Sequence, residues 1–543
     1  MRWWRALLVT SAVAVLCAIA WFALLRTPKS AVRPRPVPSG DHEIAWLHNP
    51  TAFETWENFV WGAKRAEMAG DGPGGLEIDD TAAYPDRTTA VPEVVIRRQG
   101  FDGALRVRWY KVTDDATQEA WVTALAKRNP SPLAILAGWS SDRAKSLADA
   151  MRDAVWSGPK PLYLLATATA DKVDEEGDVA RGGDQGPNLI SVYDRSFRFC
   201  FTNRQMANSV TDFVLSDPTL RPGPIAWPGL RAVPAFAAGA WAGVAALAVD
   251  AFPAQEPIPG YAIEWQDDPY SIDLCSKFRN ALSSRGSQTG VRGVPRLSIV
   301  RSAVPFSVGR LNRANAFEAQ AAEYILANLP PPGTRSILVI PTVSAPARRT
   351  LRALVQRNPN VGRQIVAVTG DGLGMNTFFR DREFAWPNRS LPIPFVMFTH
   401  ANPFGWDTPG TTAPPGYELT PPKPGTVRSS TEATLLFTRL TQVLATACFP
   451  DGATAIAETP DTVAAYLRSP ALGFFEPTGD RRDGTGEHIV VLRPNFLGST
   501  PDPPDGKPQP DATLEVYARP KGNAAWALVH SIPLGRATGG HSE

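Results

Sequence analysis

Residues 132–155 read "PLAILAGWSSDRAKSLADAMRDAV". The apolar run 132–138 has the length of a strand and stops at Gly138 and polar residues. Ser140 and Ser141 then offer caps, and Ala144, Leu147, Ala148, Met151, Ala154 and Val155 recur on one helical face. Strand, hydroxyl-bearing loop and amphipathic helix, in that order, open a parallel βαβ unit. The form repeats. "PLYLLATATA" (161–170) is a second strand ending in small polar residues, and "GYAIEWQDDPYSIDLCSKFRNAL" (260–282) is a third strand, loop and helix. "SILVIPTVSAPARRTLRALVQ" (336–356) follows the same plan, with Ser344 as the expected N-cap and Pro346 in the first turn. "IVAVTGDGLGMNTFF" (365–379) is a further case. This alternation predicts an α/β protein with parallel sheets covered on both faces, whose ligands bind in loops after the carboxyl ends of strands.

At 543 residues the chain has room for two or three domains with their own cores. Its 55 basic and 53 acidic residues are spread without blocks, so the electrostatic footprint of nucleic-acid binding is missing. The 52 prolines cluster and mark long ordered loops, and no solenoid repeat is present. None of the four cysteines, Cys17, Cys200, Cys275 and Cys448, stands at CxxC spacing; three buried free thiols are expected in the folded part.

"ALLVTSAVAVLCAIAWFALL" (6–25) is uncharged and long enough to cross a bilayer, and no small-x-small cleavage site follows it before the Pro-rich "TPKSAVRPRPVPSG". We therefore expect residues 1–28 to be an uncleaved transmembrane anchor and residues 29–42 a tether. Arg26, Lys29, Arg33 and Arg35 outnumber Arg2 and Arg5, a pattern that by itself puts the body inside. A second apolar run, "AVPAFAAGAWAGVAALAVDAF" (232–252), is read as a buried helix or packed insertion.

Catalytic signatures are poor. The glycines of "TGDGLGM" miss GxGxxG spacing, because Gly374 comes one residue early, and GxxxxGK[ST] is absent. "GWSSD" (138–142) lacks the last glycine of a nucleophile elbow, so a hydrolase would need His400 or another histidine to reach Ser140 or Ser141. The acidic pairs at 79–80, 114–115 and 267–268 have no second ligand cluster. No cofactor or metal is expected. What remains suits a small zwitterion. Ser140, Ser141 and Thr169 with helix N-terminal N–H groups would hold a carboxylate, Asp371 an ammonium group, and Tyr270 would close over the ligand.

The order of these stretches resembles the type 1 extracytoplasmic solute-binding proteins, the branched-chain amino-acid-binding group and its receptor relatives. "RVRWYKVTDDATQEAWVTALAKRNPSPLAILAGWSSDRAKSLADAM", "PLYLLATATADKV", "RFCFTNRQMANSVTDFVL", "DDPYSIDLCSKF", "TGDGLGMNTFF" and "LGFFEPTGDRRDGTGEHIVVLRP" carry it across most of residues 100–495. The resemblance implies a two-lobed α/β fold of two doubly wound parallel sheets joined by three crossovers. Lobe one would comprise 43–205 and 388–470. Lobe two would comprise 206–387, with an insertion at 219–258, and 471–543. It implies an extracytoplasmic, non-enzymatic binder that captures an amino-acid-like ligand for a transporter or signalling partner. Ser140, Ser141, Thr167 and Thr169 would line one side of the cleft, and Tyr270 and Asp371 the other. A module that has lost small-molecule binding and recruits a protein, or a hydrolase-like enzyme, are the alternatives.

Overall fold

The computed structural model describes residues 32–68, 74–87, 89–173, 186–224, 258–265, 268–288, 297–304, 315–373, 392–400, 429–477, 481–486, 489–495, 513–519 and 525–533. The expected anchor (6–25), the apolar run 232–252 and most of the 219–258 insertion lie outside them. Among the described residues no helix is long and apolar enough to cross a membrane.

The first unit runs β1 (His42–His48), α1 (Phe53–Met68), β2 (Leu76–Asp79), β3 (Glu93–Arg98), β4 (Leu105–Lys111), α2 (Gln118–Ala126), β5 (Ala134–Ala137), α3 (Ser141–Asp153), β6 (Leu162–Leu165), α4 (Leu189–Val192) and β7 (Ser196–Arg198). Its strands form one sheet in the order β2-β3-β4-β1-β5-β6-β7. The period-two pattern of β1 divides its side chains between two cores. Ile44 and Trp46 pack with Trp56, Phe59 and Ala63 of α1, whereas Ala45 and Leu47 pack with Trp121 of α2 and Leu147 of α3.

The second unit continues with α5 (Asn203–Ser216), β8 (Gly223–Pro224), β9 (Ile258–Trp265), α6 (Pro269–Gln288), β10 (Leu297–Val304), α7 (Asn315–Ala327), β11 (Thr334–Ile340), α8 (Ser344–Arg357), β12 (Ile365–Thr369) and β13 (Phe395–Thr399). Then α9 (Ser429–Cys448) and α10 (Pro460–Leu467) return to the first unit, where Phe437, Leu440 and Val463 join its core. β14 (Val490–Asn495), β15 (Thr513–Ala518) and β16 (Ala527–Pro533) complete the second sheet, β10-β9-β11-β12-β13-β14-β15-β16, with β8 paired to β11. This sheet also has a core on each face, Leu338 and Ile340 on one side and Ile337 and Val339 on the other.

Several expectations need correction. The sheets are mixed, not purely parallel: β2 and β3 add antiparallel at one edge of the first, and β14, β15 and β16 add antiparallel to the second. β13 belongs to the second sheet, so the chain returns to lobe one after Thr399 and not at 388. Residues from 471 stay with lobe one longer than expected. Phe475 is in its core, and Gly484 N–H donates to Arg198 O at 3.0 Å beside β7. The strand pattern around 395 reads equally well in either sheet, and only pairing decides it. The described part of the 29–42 tether is pinned, because the carbonyls of Arg35 and Pro36 accept from Arg108 Nη1 at 2.9 and 3.0 Å. Ser344 opens α8 rather than capping it, since the cap position is Val343. α3 ends at Asp153, which leaves Val155 90% exposed instead of on the buried face. Cys200, Cys275 and Cys448 are buried, and none forms a disulfide among the described residues.

Candidate functional site

In open α/β sheets the chain reverses its direction of winding at a switch point, and the loops after the two strands there diverge to leave a crevice. In the first sheet the switch lies between β1 and β5, and in the second between β9 and β11. The loop after β6 in the first unit meets the N-terminal turns of α6, which follow β9 in the second. The carboxyl ends of the parallel strands of both sheets thus face one seam.

On the first unit's side, β5 delivers Trp139, Ser140 and Ser141. Ser140 caps α3 by position, yet its side chain makes no cap hydrogen bond. Ser141 is buried, and its Oγ accepts from Ala170 N–H at 3.4 Å. Thr167 Oγ1 donates to the Trp139 carbonyl at 3.4 Å. Thr169 is 1% exposed, and its hydroxyl has no hydrogen-bond partner among the described residues. Its carbonyl accepts from Asn203 N–H at 2.7 Å. Beside these, the His48 ring lies 4.2 Å from that of Trp139, centroid to centroid, and Trp139 Nε1 is likewise buried without a partner. Burial, and then Arg143, press the His48 pKa down to about 3, so this imidazole is neutral near pH 7.

On the second unit's side the two residues singled out in the sequence meet each other. Tyr270 Oη donates to Asp371 Oδ1 at 2.8 Å and accepts from Gly372 N–H at 3.1 Å. Burial first, then the Asp371 carboxylate, raise the Tyr270 phenol well above its ordinary value, which keeps it a donor. The other carboxylate oxygen, Asp371 Oδ2, is 3.1 Å from His400 Nε2 at the end of β13. His400 stacks on Phe201 at 4.2 Å and 22°, and Arg439 Nη1 of α9 donates to its carbonyl at 3.1 Å. Both oxygens of Asp371 thus have partners within the chain, Tyr270 and His400. Thr342, at the end of β11, is fully buried, and its hydroxyl has no partner among the described residues.

A third group binds the two sides together. Asp273, in the first turns of α6, accepts from Asp171 N–H at 2.8 Å, Lys172 N–H at 3.3 Å and Asn203 Nδ2 at 2.8 Å. Asp171 in turn accepts from Arg204 N–H at the start of α5. Sequence reading missed Asp273, Asn203 and Thr342. Each stands at a strand end or in the first turn of a helix, which was the available signal. His400 Nε2 faces Asp371, while Ser141 Oγ faces Ala170.

These features define a two-lobed α/β protein with a polar seam between the carboxyl ends of its sheets. No family model and no curated protein matches the chain. Solved structures that it resembles include the ABC transporter substrate-binding protein from Desulfitobacterium hafniense, at 14% identity over 83% of this chain and 97% of that one, TM-score 0.44. Leucine-binding protein LivK from Thermotoga maritima is 12% identical over 91% and 99%, TM-score 0.44. An ABC-transporter solute-binding protein from Rhodopseudomonas palustris HaA2, solved with p-hydroxybenzoic acid, is 10% identical over 91% and 97%, TM-score 0.43. Likenesses this distant decide nothing about ligand or activity. The two-lobed architecture rests on the sheets and cores described above.

Proposed function

We propose that the chain is an extracytoplasmic, membrane-anchored binding protein that captures a small carboxylate-bearing solute, an amino acid or similar zwitterion, in the seam between its lobes. Capture would serve transport or sensing and involves no bond chemistry. The observation that carries this reading is the convergence of strand-end loops from two separately cored sheets on one seam with the buried hydroxyls of Thr169 and Thr342, neither of which has a partner among the described residues. A buried hydroxyl without a partner costs on the order of 1–3 kcal/mol, which a ligand able to hydrogen-bond there recovers. Ser140, Ser141, Thr167 and Thr169 are the proposed contacts from lobe one, and Tyr270 and Asp371 from lobe two. Trp139 beside His48 supplies an apolar wall.

A second reading, recruitment of a protein partner by a closed module, draws support from the carboxylates of Asp273 and Asp371, both already engaged within the chain. A thermal-shift screen of the full chain against amino acids and other small carboxylates separates the two. At 100 times its dissociation constant a ligand adds about 2.7 kcal/mol of stability, visible as a raised midpoint. Capture predicts a hit that weakens about tenfold or more in Thr169→Val, the replacement that keeps the shape and removes the hydroxyl. No shift with any solute, in a chain that unfolds cooperatively, supports the partner reading instead.

A further inference from the structure

Asp273 occupies an unusual place. It lies on a helix whose neighbours Leu274, Cys275 and Phe278 belong to the second unit's core, yet its carboxylate caps a loop whose Ala170 and Val173 belong to the first. Asp171 does the reverse, reaching from the first unit to the N–H of Arg204 on α5 at 2.7 Å. The two lobes exchange carboxylates. Both sets of bonds run between the two units.

We propose that Asp273 is an internal ligand of the seam: its carboxylate takes the backbone donors of Asp171 and Lys172, latches the lobes shut in the free protein, and must be displaced by an incoming carboxylate. The identity of the displacing solute rests on the binding reading above; the latch itself does not.

The exchange is electrostatically opposed. Asp273 is 1% exposed and faces Asp171, so burial and then this like charge raise its pKa to about 6. Lys277 Nζ, 3.5 Å from Asp273 Oδ1, offsets part of the repulsion. Arg198 is buried, feels both aspartates and is 3.3 Å from Asp483. Lys172 and Arg204 present their backbone N–H groups to the pair. In an opened seam Asp273 would meet water and return toward an ordinary carboxylate. The closed form therefore binds its proton more tightly, and raising the pH from about 4 to about 7 shifts the balance toward opening by up to about a hundredfold.

Two variants test this in the full chain, by small-angle scattering and by amide hydrogen exchange between about pH 4 and about pH 7. Asp273→Ala removes the latch. It should enlarge the radius of gyration and speed exchange at Asp171 and Lys172 about tenfold or more, with the rest of each lobe unchanged. Asp273→Asn keeps an acceptor and stands in for the protonated acid. It should remain as compact as the wild type at acid pH and lose the pH dependence of lobe opening. A purely structural hydrogen bond predicts something else: faster exchange at the two amides in both variants, with no change in overall dimensions. That result overturns the proposal, as does loss of cooperative unfolding in both variants, which would make Asp273 a folding residue. Acetate is added as a probe carboxylate. If the variants behave as expected but acetate and the screened solutes leave every observable unchanged, the latch stands and small-molecule capture fails.

Discussion

Asp371 is set between Gly370 and Gly372, and the reason for the first glycine is space. A Cβ on Gly370 would run into the Tyr270 hydroxyl and come within 2.6 Å of Leu274 Cδ2. The closeness of that backbone to Tyr270 is what lets one phenol reach both Asp371 Oδ1 and Gly372 N–H. Gly370→Ala should cost about 1–3 kcal/mol, the usual result of overfilling a packed site, read as a lowered denaturant midpoint with an unchanged m-value. At this scale the sequence was partly legible. The glycines marked a tight strand-end loop, and Tyr270 and Asp371 were both singled out. Their mutual bond was not legible, because 101 residues separate them.

Among the elements, α5 shows how local chemistry sets the hinge. Thr202 Oγ1 accepts from Gln205 N–H at 3.2 Å, and the Gln205 side chain accepts from Thr202 N–H at 2.8 Å, a reciprocal capping box. The same glutamine donates through Nε2 to Gly484 O at 2.7 Å and to Glu476 Oε1 at 2.6 Å, so the cap also fastens the last passage of the chain between lobes. Thr202→Ala should cost about 1 kcal/mol through the lost cap. Exchange should rise first in the opening turn of α5, a pattern that fails to appear if tertiary packing alone holds that helix. The box was readable in "TNRQ", whereas its second duty toward residues 476 and 484 was not. Helix spans were likewise not fixed by the apolar pattern: α3 stops at Asp153, with Ala154 extended, although the pattern continues to Val155.

For the molecule as a whole, two groups give the pH dependence opposite signs. His48 is depressed to about 3, so between 6.5 and that value the unfolded chain binds the proton more readily, and stability falls as pH falls. Each unit of separation is worth about 1.4 kcal/mol. Asp273 is raised to about 6, so protonation favours the folded chain, and stability from this group falls as pH rises from about 4 to about 6. The two partly cancel in that window. His48→Asn should therefore lose less stability than the wild type between about pH 7 and about pH 4, measured as denaturant midpoints. Equal losses would mean that the imidazole charges without cost and is not held in an apolar site.

The alternation of apolar runs with amphipathic helices, and the polar loops that follow each strand, were determined by the sequence itself. Both follow from the two- and 3.6-residue periods of a chain that buries one face of each element. The edges of the sheets, the points where the chain changes lobe and the partners of Asp371, His400 and Asp273 were decided only in three dimensions. β13 joins the second sheet through pairing with β12 and β14, and no local pattern carries that choice. Whether an acid is free for a ligand or spent within the chain depends on which donors lie within about 3 Å once water has left. In this seam the donors of Asp171 and Lys172 come to Asp273 from a distance of 102 and 101 residues.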